Sequence, residues 1–157
     1  MKTLEERFWP KVDQGGTDAC WLWKGYVSTK GYGYFHMPQR PMLAHRVAWT
    51  LLVGSIPTGM QLDHRCHVRH CVNPSHLRVV TNKQNNENRC GPNAGKAASA
   101  ARGVSLHKPT GRWRANVVQN GKMVSGGTFA TEEEAAKAAA DLRRQLFTHN
   151  DADRVAP

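Results

Sequence analysis

The stretch LDHRCHVRHCVNPSHL, residues 62–77, decides how the first half of this chain is read. It holds one carboxylate, Asp63, and behind it His64, Cys66, His67, His70, Cys71 and His76. Imidazoles and thiols at this density suit a metal, and a structural zinc takes four such ligands in a tetrahedron. Cys66 and Cys71 are separated by four residues and His76 follows Cys71 after four more, so the run supplies three ligands. The fourth must return from elsewhere in the chain. It is either Cys20, ahead of WLW at the start of a strand, or Cys90, in a stretch of linker composition, and spacing favours Cys20. His67 and His70, set among basic neighbours, are read as solvated or DNA-facing.

Asp63 and His64 are then left for chemistry. A hydrolytic nuclease needs a hard cation on the scissile phosphate and a base for the attacking water. Asp63 offers an oxygen ligand to Mg²⁺ (or Mn²⁺), and a histidine such as His64 titrates near neutrality. A second oxygen ligand is expected from the polar run NKQNNENR, where Asn82, Asn85, Asn86 and Asn88 carry amide carbonyls. The bland alternative is a zinc-stapled binding module without catalysis.

The 157 residues suffice for one ordinary domain or two small ones, and a small core benefits from a metal staple. A net charge of +10 favours a polyanionic partner, nucleic acid first. The opening MKTLEERFWPKV lacks an apolar signal region and VAWTLLVG is too short to span a bilayer. The expectation is a cytoplasmic protein with no membrane partner, in a reducing setting where clustered Cys and His favour metal over disulfide.

The stretch NRCGPNAGKAASAA, residues 88–101, is small, polar and rich in Gly, Ala and Ser. It suggests a first domain over 1–90, a linker over 91–101, a second domain over 102–148 and a tail over 149–157. From Asn88 to Thr131 there is no acid against seven Lys or Arg, a candidate electrostatic footprint for nucleic acid. In the first half, LEERF predicts a short helix, CWLWKG and GYGYF predict aromatic strands, LAHRVAWTLLVG a helix stopped at Gly54, and LRVVT a strand. A polar helix should follow, with Thr81 as its N-cap. In the second half, RWRANVVQ alternates, Asn120-Gly121 is a hairpin turn and KMVSGGTF returns as its partner. TEEEAAKAAADLRRQLF predicts a helix with a capping box at Thr131 and Glu134. The class is α+β.

Residues 20–89 resemble the HNH endonucleases of phages and mobile introns. DHRCHVRHCVNPSHL followed by NNENRCGPN is particularly similar to the His-Cys box homing endonucleases of the same ββα-metal superfamily. The resemblance implies a zinc-stapled ββα-metal nuclease domain in which His64 is the general base and Asp63 and Asn85 hold one catalytic cation. It implies that Cys20, Cys66, Cys71 and His76 bind one structural Zn²⁺, that Asn73 braces the loop and orients His64, and that Arg46 clamps phosphate. Only Cys90 remains where His-Cys box enzymes carry a second zinc cluster, and the Asp before the histidine is the ordinary HNH choice.

RGVSLHKPTGRWRANVVQNGK and GGTFATEEEAAKAAADLRRQLF, about residues 102–147, resemble the AP2 DNA-binding domain. That resemblance implies a three-stranded antiparallel sheet in the major groove with a helix behind it. It makes Arg102, Arg112, Trp113 and Arg114 the DNA contacts, with Asn116 and Lys122 beside them. Ser105 and His107 stand where the family often has arginine, so the sequence read would be different or less strictly specified. The reading is a site-directed endonuclease on double-stranded DNA, with homodimerisation left open. Its rival is a non-catalytic, zinc-containing DNA-binding transcription regulator, and Asp63, His64 and Asn85 together separate the two.

Overall fold

A computed structural model describes residues 2–91 and 99–154. Most of the expected linker, residues 92–98, and the end of the expected tail, 155–157, lie outside the described residues. The chain divides into two compact units, Met1–Asn85 and Asn86–Pro157.

The first unit opens with α1 (Leu4–Phe8), started by a capping box in which Thr3 Oγ1 accepts from Glu6 N (3.1 Å) and Glu6 Oε2 from Thr3 N (2.8 Å). The aromatic segments then form strands of only two residues. These are β1 (Val12–Asp13) with β2 (Leu22–Trp23), and β3 (Tyr34–Phe35) with β4 (Met42–Leu43), each pair antiparallel. Side-chain packing has to do what such short ladders cannot. Phe8 stacks on Trp23 at 5.0 Å and meets Phe35 edge-on at 5.3 Å. The apolar face of α2 (Ala44–Leu52) adds Ala44, Val47 and Ala48 to the same core, and Val72 closes it. The helix stops before Gly54, which takes φ +131°.

The chain continues into β5 (Gln61–His64), which pairs antiparallel with β6 (Leu77–Val80) so that Asp63 faces Arg78 and His64 faces Leu77. Next comes α3 (Asn82–Glu87), whose start is capped as expected: Thr81 Oγ1 accepts from Gln84 N, and Gln84 Oε1 accepts from Thr81 N. The division between the units falls inside this helix.

The second unit contains the expected three strands and helix: β7 (Val104–His107), β8 (Arg112–Gln119) and β9 (Lys122–Phe129), antiparallel in that order, then α4 (Glu132–Leu146). Asn120 and Gly121 both take positive φ, 51° and 77°, the twist that a two-residue hairpin needs. Ala135 and Ala139 of α4 pack on Val104 and Ala115. A polar layer closes the unit. Glu87 Oε2 accepts from Thr148 N and Oγ1 and from His149 N, and Asn88 Oδ1 accepts from Asp151 N. The buried Arg143 binds both carboxylate oxygens of Asp153 and the carbonyl of Arg102.

Two glycines make room for the central indole: a Cβ on Gly33 would lie 2.5 Å from Trp23 Cδ1, and one on Gly25 2.7 Å from the ring's far edge. Gly33→Ala should therefore displace the core tryptophan and cost the first unit about 1–3 kcal/mol. Thermal denaturation followed by tryptophan fluorescence checks this, and an unchanged Tm would show that the indole has room to yield.

Candidate functional site

The loop between β5 and β6 builds the site. It turns tightly because His67 takes φ +57° and the amides of His67 and Cys71 bond back to the carbonyls of His64 and Val68. A distant segment is laid against it. Trp23 N donates to His70 O (3.0 Å), Val72 N donates to Trp21 O (2.8 Å), and Leu22 bridges Cys71. Asn73, 2 % exposed, completes the seam: Nδ2 donates to the carbonyls of Thr17 and Ala19, both 2.8 Å, while Oδ1 accepts from Ser75. These bonds deliver Cys20 to the loop.

The ligand atoms of Cys20, Cys66, Cys71 and His76 consequently lie within 4.8 Å of one another. His76 Nδ1 is 3.5 Å from Cys20 Sγ and 3.7 Å from Cys71 Sγ. A tetrahedral zinc with ordinary Zn–S and Zn–N bonds would hold such atoms about 3.6 Å apart. His76 Nε2 lies 3.2 Å from the carbonyl of Asp18, which can only accept, so Nδ1 presents its lone pair to the sulfurs. The thiols already behave as a shared set. A hydrogen bond from Cys71 pulls Cys66 down to about 4, whereas the bond to Cys66, with burial, pushes Cys71 up, and burial raises Cys20. The donor set fits zinc. Cys90, the other candidate, is exposed and belongs to the second unit.

At the end of β5, His64 is 7 % exposed and its Nε2 lies 3.0 Å from the carbonyl of Cys71. That acceptor fixes the proton on Nε2 and leaves the lone pair on Nδ1. Burial lowers the pKa of His64, opposed by its bond to Cys71 and by the charges of Cys66 and Asp63. His45 of α2 stands 4.6 Å away edge-on, and Tyr32 lies within 6.3 Å of both rings. Burial, with His64 and Arg46 adding to it, holds His45 down to about 3, so it stays neutral. Arg46 follows it on α2, half-buried.

Asp63, 6 % exposed, is gripped by Arg78, whose Nε (3.0 Å) and terminal nitrogen (2.8 Å) both bond Oδ2. Asn85 Nδ2 donates to Gln61 Oε1 (2.5 Å), and Gln61 Nε2 donates to Asn82 Oδ1 (3.4 Å), which ties α3 to β5. His45, Tyr32, Gln61 and Arg78 did not emerge from sequence reasoning. Strand register alone could have paired Arg78 with Asp63. His67 is half-buried, with Nε2 out of solvent, rather than solvated.

In the second unit the alternation of β8 sorts the expected DNA contacts. Arg112, Arg114 and Lys122 are exposed and Asn116 is half-exposed. Trp113 is not on the outer face. It shares the helix side with Ala115 and Val117, opposite Phe129, and packs against the alanines of α4. Arg102 is also occupied elsewhere: its guanidinium donates to the carbonyls of Asn86, Glu87 and Arg89 and covers the Phe147 ring at 5.4 Å. It is a brace within the unit.

Comparison with known proteins follows the same division. Residues 42–87 match the family model for HNH endonucleases, and residues 99–149 match the AP2 domain. One segment of the chain is thus similar to HNH endonucleases and a later one to AP2 domains. The chain is 35 % identical over 70 residues to Protein 7.7 and 32 % over 71 residues to Protein 2.8, both of Escherichia phage T7; the alignments cover 45 % and 44 % of this chain and 54 % and 48 % of those proteins. It spans about half the length of these curated relatives. An uncharacterised HNH endonuclease of Acanthamoeba polyphaga mimivirus is 29 % identical over 140 residues, 88 % of this chain and 66 % of its own. No solved structure matches significantly. Among the described residues no helix is long and apolar enough to cross a membrane.

Purified protein should hold one zinc per chain by elemental analysis. Cys66→Ser or Cys71→Ser should lose the metal and unfold the first unit, because structural zinc contributes folding free energy directly. Cys20→Ser should do the same and Cys90→Ser should not; metal content independent of Cys20 would remove it from the ligand set.

Proposed function

We propose that the protein is a site-directed endonuclease of the ββα-metal kind, homing-type or phage-borne, that hydrolyses phosphodiester bonds in double-stranded DNA. The observation that carries this reading is the fixed tautomer of His64, a buried neutral imidazole next to Asp63 with its lone pair on Nδ1. In this reading β5, β6 and α3 are the ββα element. His64 takes the proton from the attacking water. Asp63 and Asn85 are a hard-oxygen pair of the kind that suits Mg²⁺ or Mn²⁺. Such a cation, when bound, neutralises charge building on the scissile phosphate. Arg46, beside His45 on α2, supplies a positive charge for the phosphodiester. Asn73 acts one step back, by holding segment 17–19 and hence Cys20 against the loop. Cys20, Cys66, Cys71 and His76 would hold zinc, which would fix the loop whose Cys71 carbonyl orients the base.

The outer face of the three-stranded sheet is the DNA-reading surface in this proposal, with Arg112, Arg114 and Asn116 toward the major groove, while Lys122, paired with Gln119 at the hairpin, lies on the helix side. Alternating side chains let one face of a sheet contact bases and phosphates. Trp113 and Arg102 serve the fold instead. One observation favours the rival reading of a non-catalytic DNA-binding regulator: Arg78 already neutralises Asp63. A cation must share or displace that partner.

Plasmid nicking decides between them. The wild-type chain should cut with Mg²⁺ or Mn²⁺. His64→Ala should lose at least about 100-fold in rate, the lower range for removing a general base, with zinc content and DNA affinity kept. Wild-type protein that binds DNA yet cuts with neither cation would establish the regulator. In binding titrations across salt, Arg112→Ala with Arg114→Ala should flatten the slope of log K against log salt by about 1.8, if each arginine neutralises one phosphate.

A further inference from the structure

The outer face of the second unit's sheet changes character along its length. Register places Arg112 opposite His107, Arg114 between Ser105 and Thr128, Asn116 opposite Ser125, and Val118 opposite Met123. All are on one face, because the alternate residues turn to the helix: Val117 is buried and Gln119 Nε2 donates to Leu146 O. The charged end is ordinary for a DNA-reading sheet. The hairpin end is not, since Val118 and Met123 are 59 % and 70 % exposed.

One exposed apolar side chain requires no explanation, but two facing each other across a ladder form a small platform. The turn holding them is a two-residue hairpin of fixed twist, so the platform does not wander. It continues a face that carries two arginines and lies within an acid-free stretch, which favours a polyanion as its partner. Duplex DNA presents an apolar group of the right size on its major-groove floor, the 5-methyl of thymine.

We propose that Val118 and Met123 form a specificity-determining contact with a thymine 5-methyl group. The inference rests on the sheet's outer face reading DNA, as set out above, and adds what one end of it reads. Val118 lies four residues beyond Arg114, about 13 Å of strand. A strand following the groove would span about four base steps in that distance. The preferred site should carry thymine within about four base pairs of the position that Arg114 reaches.

The full-length chain, in buffer without added magnesium, is used to select duplexes from a random library, and each thymine of the selected site is then replaced singly by uracil. Uracil removes the methyl and keeps every hydrogen bond. At one or two positions the change should weaken binding about four-fold, the effect of one buried carbon group. Val118→Ala with Met123→Ala should bind thymine and uracil duplexes alike, with an unchanged salt slope. If that pair does not fold by circular dichroism, Met123→Gln alone, at the more exposed position, carries the same expectation. The inference is overturned if no position senses uracil, or if the variant keeps the discrimination. It is also overturned if the substitutions abolish self-association of the chain while leaving discrimination intact, since the platform would then join two copies. A chain that binds no duplex overturns the functional reading as well, whereas one that binds duplex without sensing uracil overturns this inference alone.

Discussion

The first unit depends on one return of the chain: the segment around Cys20 laid against the loop that carries Cys66, Cys71 and His76. Its strands are two to four residues long, and its aromatic core is built on a few side chains around Trp23. Such a core leaves little margin over the conformational entropy of ordering the chain. The backbone seam of Trp21, Trp23, His70 and Val72, and the amide of Asn73, bring four ligand atoms to the spacing a metal imposes. A bound ion then acts as the cross-link that a longer sheet would otherwise provide.

The same return couples stability to chemistry. Cys71 presents its sulfur to the ligand cluster and its carbonyl to His64. A shift of the loop therefore moves the group that sets which ring nitrogen of His64 carries the proton. Around that ring, His45 and Tyr32 make a wall of neutral aromatic surface that keeps the imidazole out of water. On the other side of the strand pair, Arg78 holds Asp63 in place through two hydrogen bonds to Oδ2. The site is preorganised by backbone carbonyls and cross-strand neighbours more than by any single side chain.

Much of this was legible from residue types and spacing. The capping pairs Thr3–Glu6, Thr81–Gln84 and Thr131–Glu134 mark helix starts, and of these Thr81 as a cap and the whole Thr131–Glu134 box are legible in the sequence. Asn120-Gly121 fixes one hairpin, and the Cys/His spacing marks the metal-ligand loop. What escaped depends on which way a side chain faces in three dimensions. The AP2 resemblance makes Trp113 a DNA contact, yet strand alternation puts it on the helix side with Phe129 and Val117. The same resemblance makes Arg102 a DNA contact, but three carbonyls bind its guanidinium. Nothing in the linear sequence shows that Glu87 would meet Thr148, or that Tyr32 would stand beside two histidines.

The closing layer of the second unit has a consequence for the order in which the protein matures. A chain leaves the ribosome from its N-terminus at about 5–20 residues per second. The four members of the Cys/His cluster are all present once His76 has emerged, well before β7 exists. The second unit, by contrast, joins Glu87 and Asn88 to Thr148, His149 and Asp151, so its polar layer stays open until those late residues are made. During that interval the Glu87 carboxylate lacks the donors that Thr148 and His149 later supply. The unit that can capture a metal is therefore complete in sequence seconds before the sheet of the second unit can close.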